Sequence, residues 1–248
     1  MLISGDKNSL LRLIKSNDRI VDLGGGKGDR WVPILKKYPN IRLTFCEPDR
    51  NELKIAQSRI KGKNVIFLTS PEYIENASQD KVYSFAVLEH VWDQRQFFNE
   101  VSRILKKSGA GYISYDDGHF RNYLYRDDTY AFQFRNLLKT KLHKLWRTLR
   151  IYRKYQFPVN ASKLVTTLDN TNLKIIDEYY SNIDNFKNFR IKESVSVFRE
   201  NCAAVYDLEK ALNIEYQKYY SLDQRVGMHG PLWKVMGTRT IKVVPTNK

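Results

Sequence analysis

From residue 19 to residue 116 the chain alternates between short apolar runs of strand length and longer runs with apolar residues at helical spacing. Strands are predicted at 19–23, 41–46, 64–68, 81–88 and 110–115, and helices at 29–38, 50–60 and 94–107. In the first of these helices Trp31, Ile34, Leu35 and Tyr38 share a side; in the last, Phe97, Phe98, Val101, Ile104 and Leu105 do. A shorter amphipathic run at 8–16 reads as a leading helix. Strict alternation with short connections leaves few solutions. The strands must be parallel and joined by right-handed crossovers, giving a doubly wound α/β sheet with helices on both faces. Ligands of such sheets bind at the carboxyl ends of strands, so function is expected after strands one, two, four and five.

Beyond residue 116 the alternation breaks. It resumes with a helix at 161–170, a strand at 173–179, an irregular and helical stretch to about 230, and a last strand at 233–244 behind the turn-rich Gly227-Met228-His229-Gly230-Pro231. An antiparallel final hairpin at the sheet edge is expected. The 248 residues then form a single domain with insertions at 117–158 and 182–231. Apolar residues at 42% supply a core. Cys46 and Cys202 provide neither a disulfide framework nor a metal quartet, which suits a reducing compartment. No uncharged run approaches the roughly 20 residues needed to cross a bilayer, and the first residues lack a signal-peptide core, so a soluble, cytoplasmic protein without a transmembrane segment is expected.

The chain carries a net charge of +15, unevenly spread. Residues 117–158 hold 10 basic and 3 acidic side chains, interleaved with aromatics such as Phe120, Tyr123, Phe134, Trp146 and Tyr155. Two helices are expected there. Such a segment suits nucleic acid, an anionic membrane surface or a phosphorylated substrate, and equally a solvated helical face over a buried stripe.

Strand one runs into Asp22-Leu23-Gly24-Gly25-Gly26-Lys27-Gly28-Asp29 directly before a helix. Glycines permit the positive φ and close backbone approach of a tight strand-to-helix turn, and the helix start offers N–H groups to a ligand. The dinucleotide pattern G-x-G-x-x-G fails, because Asp29 occupies its third position; a phosphate-binding P-loop fails because Lys27 lacks the following Ser or Thr. Asp22 at the loop's start also disfavours a pyrophosphate. Strand two ends in Phe45-Cys46-Glu47-Pro48-Asp49, placing the Glu47 carboxylate about 20 residues beyond the loop, where ribose hydroxyls are bound in such folds.

These residues, with Ala86-Val87-Leu88-Glu89-His90-Val91 after strand four and the closing run 233–244, resemble the class I S-adenosylmethionine-dependent methyltransferases. The likeness is good over 10–116 and loose over 160–248. It implies a seven-stranded Rossmann-like sheet, mostly parallel with an antiparallel last strand, and S-adenosyl-L-methionine as cofactor with S-adenosyl-L-homocysteine as product. By the same resemblance the backbone at Gly24 and Gly26 faces the methionine part, with Asp22 and Gly25 in the same loop. Glu47 holds the ribose diol, Pro48 packs on adenine, and Ala86 and Val87 approach the methionine end. The acid that family members often carry after strand three is missing from Thr69-Ser70-Pro71-Glu72, leaving Ser70 as the partner for the adenine amino group.

In-line methyl transfer is served mainly by positioning, but an alcohol acceptor also benefits from a general base. His90 after strand four and Asp116 after strand five would sit at the cofactor ends of neighbouring strands, a layout similar to sugar O-methyltransferases of the superfamily. His90 also reads as a structural helix-start residue. Asp116, Asp117 and His119 invite a divalent metal, but adjacent carboxylates on a strand point apart, so no metal is assigned. Asp117, His119 and His229 are candidates for contact with the acceptor. A sugar or glycan hydroxyl is the expected acceptor, including a deoxysugar, since the chain is similar, more distantly, to rhamnose-methylating domains of chlorella-virus glycan synthesis. The alternatives are an RNA methyltransferase using 117–158, or a small-molecule one. The run after strand four lacks an Asn-Pro-Pro-Tyr-like motif, which counts against methylation of base nitrogens.

Overall fold

Buried β-branched and aromatic runs form the strands, and amphipathic runs cover them. The computed structural model describes residues 13–116, 159, 161–183, 195–226, 232 and 236–246. Its elements are β1 (Arg19–Leu23), α1 (Trp31–Lys37), β2 (Arg42–Cys46), α2 (Arg50–Arg59), β3 (Val65–Leu68), β4 (Gln79–Phe85), α3 (Gln94–Ile104), β5 (Leu105–Asp116), α4 (Ala161–Asp169), β6 (Leu173–Ile183), α5 (Val195–Tyr219), α6 (Leu222–Val226) and β7 (Met236–Pro245). The seven strands form one sheet in the order β3-β2-β1-β4-β5-β7-β6, parallel from β3 through β5 and antiparallel where β7 pairs with β5 and β6. The expected doubly wound sheet is therefore observed.

Neighbouring residues on the central strands enter opposite cores, which is why these runs are apolar throughout. Ile20, Tyr83 and Tyr112 join Trp31 and Leu35 of α1 and Leu53 and Ala56 of α2 on one face. Val21, Val82 and Ile113 join Phe98, Val101 and Ile104 of α3 and Leu164 and Leu168 of α4 on the other.

The structure differs from the sequence reading in five main places, one being β6, expected at 173–179 but running on to Ile183. The strand expected at 81–88 ends at Phe85, because Ala86 takes φ +56 and residues Leu88–His90 form a 3-10 turn. The helix expected to reach 107 stops at Ile104, where the carbonyls of Arg103 and Ile104 accept from the backbone N–H groups of Ala77 and Ser78. β5 consequently starts at Leu105, with a register shift against β4. The closing antiparallel pair lies at the sheet's end as expected, but β7 is inside it and β6 forms the edge. Most of the helix expected at 8–16, and all of 117–158, lie outside the described residues.

A fully buried Arg239 fastens this far end: its Nε donates to Glu178 Oε2 at 2.8 Å and its Nη1 to the Tyr115 hydroxyl at 3.2 Å. Asn213 of α5 closes part of the β6 edge, accepting from Tyr180 N–H and donating to Tyr180 C=O, both at 2.8 Å. The amide thus replaces a neighbouring strand at that point.

Candidate active site

The turn from β1 to α1 and the turn from β2 to α2 are tied into one unit. The N–H groups of Gly24 and Gly25 donate to Cys46 C=O at 2.8 and 3.3 Å, and Gly26 N–H donates to Glu47 Oε2 at 2.8 Å. Glu47 Oε1 accepts from Asp49 N–H at 2.8 Å, and Asp49 in turn caps α2 through Asn51 N–H at 2.9 Å. Glu47 is buried, so these bonds fix the direction of its carboxylate. Gly24 (φ +76) and Gly26 (φ +60) need the left-handed conformation that glycine permits. At Gly25 the reason is space: an added Cβ would lie 2.2 Å from Phe45 Cε2.

Asp22 is buried behind the loop, not in front of it. Its Oδ2 accepts from Trp31 Nε1 at 2.5 Å, and burial pushes its carboxyl above the ordinary range against the pull of Arg30 and the Trp31 bond. Sequence reasoning grouped Asp22 with the cofactor contacts; the structure makes it the brace that holds the loop to α1. Arg30, which that reasoning passed over, stacks on Phe85 with its guanidinium carbon 4.2 Å from the ring centroid. Cys46 is buried as expected, and its thiol is pushed up to about 12 by burial and the nearby Glu47 and Asp22 charges, leaving it unreactive.

Loop, β2 end and β4 end enclose a cavity of about 840 Å³, at the carboxyl end of the sheet as expected. Gly24, Gly25, Gly26, Glu47, Pro48, Ser70, Ala86, Val87 and His90 all line it. Ser70 Oγ also accepts from Glu72 N–H at 3.5 Å, starting the short turn Pro71–Tyr73. The same wall holds six carboxylates, Asp29, Glu47, Glu52, Glu72, Asp93 and Glu100, against the cations Lys27 and Arg30. A chain of net charge +15 thus carries an acidic cavity. Ala86, at φ +56, is a strained residue in this wall, held by its N–H to Ser114 C=O at 2.8 Å.

His90 is half-buried at the wall, its N–H donating to Val87 C=O at 2.8 Å. Asp116 ends β5 and does not line the cavity. A residue missed from sequence lies between them. Glu89 is buried, and its Oε1 accepts from Asp116 N–H at 3.2 Å, joining the β4 turn to the β5 end. Burial raises its carboxyl pKa, the bonds from backbone N–H and the His90 ring pull it down, and Asp116 pushes it up. Adjacency to His90 was its only sequence signal. Trp92, also passed over, stands half exposed at the cavity wall. Asp117, His119 and His229 lie outside the described residues.

Residues 21–113 match the family model described as a methyltransferase domain. That stretch is therefore similar to methyltransferase domains. It takes in the loop, Glu47 and the whole β4 turn. Over 108 residues the chain is 31% identical to YrhH of Bacillus subtilis (strain 168), a protein named as a methyltransferase, covering 42% of this chain and 60% of YrhH. Over 72 residues it is 29% identical to ribosomal RNA small subunit methyltransferase G of Mycoplasmopsis pulmonis, covering 29% of this chain and 32% of that protein. The matches thus span three fifths and one third of the lengths of these relatives. Among solved structures, phosphoethanolamine N-methyltransferase 2 of Haemonchus contortus, in complex with S-adenosyl-L-methionine, superposes with a TM-score of 0.57 at 16% identity over 100% of this chain and 54% of that one. This likeness shows that the chain shares the Rossmann-like fold of that enzyme. Among the described residues no helix is long and apolar enough to cross a membrane.

Proposed function

We propose that the protein is an S-adenosyl-L-methionine-dependent methyltransferase acting on a hydroxyl group of a sugar or glycan. The observation that carries the cofactor is the pairing of a buried, directed Glu47 carboxylate with the glycine loop in an acidic cavity. Glu47 Oε2 accepts from Gly26 N–H and Oε1 from Asp49 N–H, which holds the carboxylate at the cavity wall, and a carboxylate is the acceptor that a ribose diol requires. The cavity volume lies within the roughly 300–1,000 Å³ of small-ligand sites, and its carboxylates attract a sulfonium and an ammonium cation. Pro48 and Ser70 would receive the adenine, and the Gly24, Ala86 and Val87 backbone the methionine part.

When bound, the cofactor supplies an electrophilic methyl carbon and departs as S-adenosyl-L-homocysteine. The work of this chain is to align the acceptor oxygen and to take its proton. His90 is the base in this reading, because its imidazole stands at the cavity wall in the turn that follows β4. Asp116 orients it from β5, and Glu89 holds the Asp116 backbone in place. Trp92 offers a ring face on which the apolar side of a sugar can stack.

A second reading, an RNA methyltransferase, is favoured by the charge of residues 117–158 and by the likeness to a ribosomal RNA methyltransferase. Methyl-labelled S-adenosylmethionine offered with deoxysugar glycosides and, in parallel, with total RNA separates the two, with a chelator arm to test for a metal. Label in a glycoside, retained with chelator, supports the His90 reading. Label in RNA alone rejects the sugar acceptor.

A further inference from the structure

At the opposite end of the sheet from the cavity, the amino-terminal ends of the strands surround a recess of about 430 Å³. Arg19 and Arg42 open β1 and β2 and are register partners, so their side chains leave adjacent strands side by side at the recess. Lys106 and Asp80 form its third side, and the carboxamides of Asn17, Asn40 and Asn64 complete it. Asp80 is the sole carboxylate lining the recess, and both its oxygens are engaged: Oδ1 by Lys106 Nζ at 2.7 Å and Oδ2 by Arg19 N–H at 2.8 Å. The Asp80 and Lys106 charges therefore cancel. The guanidinium groups of Arg19 and Arg42 have no hydrogen-bond or ion-pair partner among the described residues. Two like charges on paired positions of neighbouring strands oppose each other, and no carboxylate of the recess is left to neutralise them.

We propose that this recess binds the phosphate monoester of a small polar molecule. Two planar guanidinium forks match the charge and oxygen geometry of a phosphate dianion. The three asparagine amides supply neutral donors and acceptors for the hydroxyl groups of the body that carries it, as in a sugar phosphate or a nucleoside monophosphate. A recess of this size lies within the roughly 300–1,000 Å³ of small-ligand sites and falls short of the cationic track that a polynucleotide backbone follows. The site lies across the sheet from the methyl-transfer cavity and does not depend on the reading given to that cavity.

Titration calorimetry with inorganic phosphate, with a nucleoside monophosphate and with a short RNA tests it, on the full chain and on Arg42→Gln and Arg19→Gln. Arg42 is exposed, so its variant keeps the fold, as an unchanged melting temperature without ligand will verify. The expected result is saturable single-site binding of phosphate and of the monophosphate, weakened by roughly tenfold in Arg42→Gln. The side-chain amide resonances of Asn17, Asn40 and Asn64 should shift on titration, and saturating S-adenosylmethionine should leave the affinity unchanged. Absence of saturable binding at millimolar ligand, equal affinity in both variants, or binding of RNA without the monophosphate would each overturn the proposal.

Discussion

Gly25 has no room for a side chain, since a Cβ there meets Phe45 Cε2 at 2.2 Å and Asp22 Oδ2 at 2.7 Å. Gly25→Ala should therefore destabilise the fold by about 1–3 kcal/mol, the usual cost of overpacking, read as a lower urea midpoint at unchanged slope. His90→Ala should lower kcat while leaving the cofactor Kd unchanged, and equal kcat would remove it as the base. Glu89 carries a pH signature. Its folded pKa is raised, so the native state holds a proton that the unfolded chain releases, and stability falls as pH rises from the ordinary glutamate range through the folded value. Glu89→Gln cannot ionise, so its melting temperature should fall less across that window than the parent's; identical profiles would contradict the assignment. At this scale the sequence made Glu47 legible through its distance from the glycine loop. It did not reveal that Asp22 lies behind the loop, because an acid at a strand end reads alike from either side until Trp31 is seen to hold it. Glu89 stayed hidden for a related reason: its burial depends on where β4 stops.

Arg103 shows how an element holds a wall. From α3 it reaches Ile74 C=O at 2.6 Å, Asn76 Oδ1 at 2.7 Å and Pro71 C=O at 2.9 Å, with Glu100 Oε2 at 2.7 Å completing the fork. Pro71 and Glu72 line the cavity, so this arginine sets the wall's position from outside it. Arg103→Ala should cost about 2–3 kcal/mol and raise the cofactor Kd, whereas loss of stability with unchanged Kd would confine its role to the fold. Arg103→Lys should restore little, since an ammonium cannot span the same acceptors. The elements themselves were legible from periodicity through β3, where propensity and tertiary pairing agree. They were less so around residues 86 and 105. There a strained Ala86 and the backbone donors of Ala77 and Ser78 cut the elements short, and neither leaves a mark in hydropathy. The place of β7 inside the sheet was hidden likewise, because pairing order is a tertiary choice.

Across the molecule, charge is segregated: an acidic cavity at the carboxyl end of the sheet, an unneutralised arginine pair at the amino end and a basic segment at 117–158. Attraction of a cationic cofactor into the acidic cavity should weaken as salt rises, since screening shortens to about 10 Å at 0.1 M ionic strength. Cofactor Kd measured across a salt series should increase modestly. The most direct test of the central claim is calorimetric titration of S-adenosyl-L-methionine into the protein and into Glu47→Ala, with melting curves to establish that both are folded. The account predicts one saturable site in the parent and loss of binding in the folded variant. No binding to the parent, or equal affinity in the variant, would contradict it.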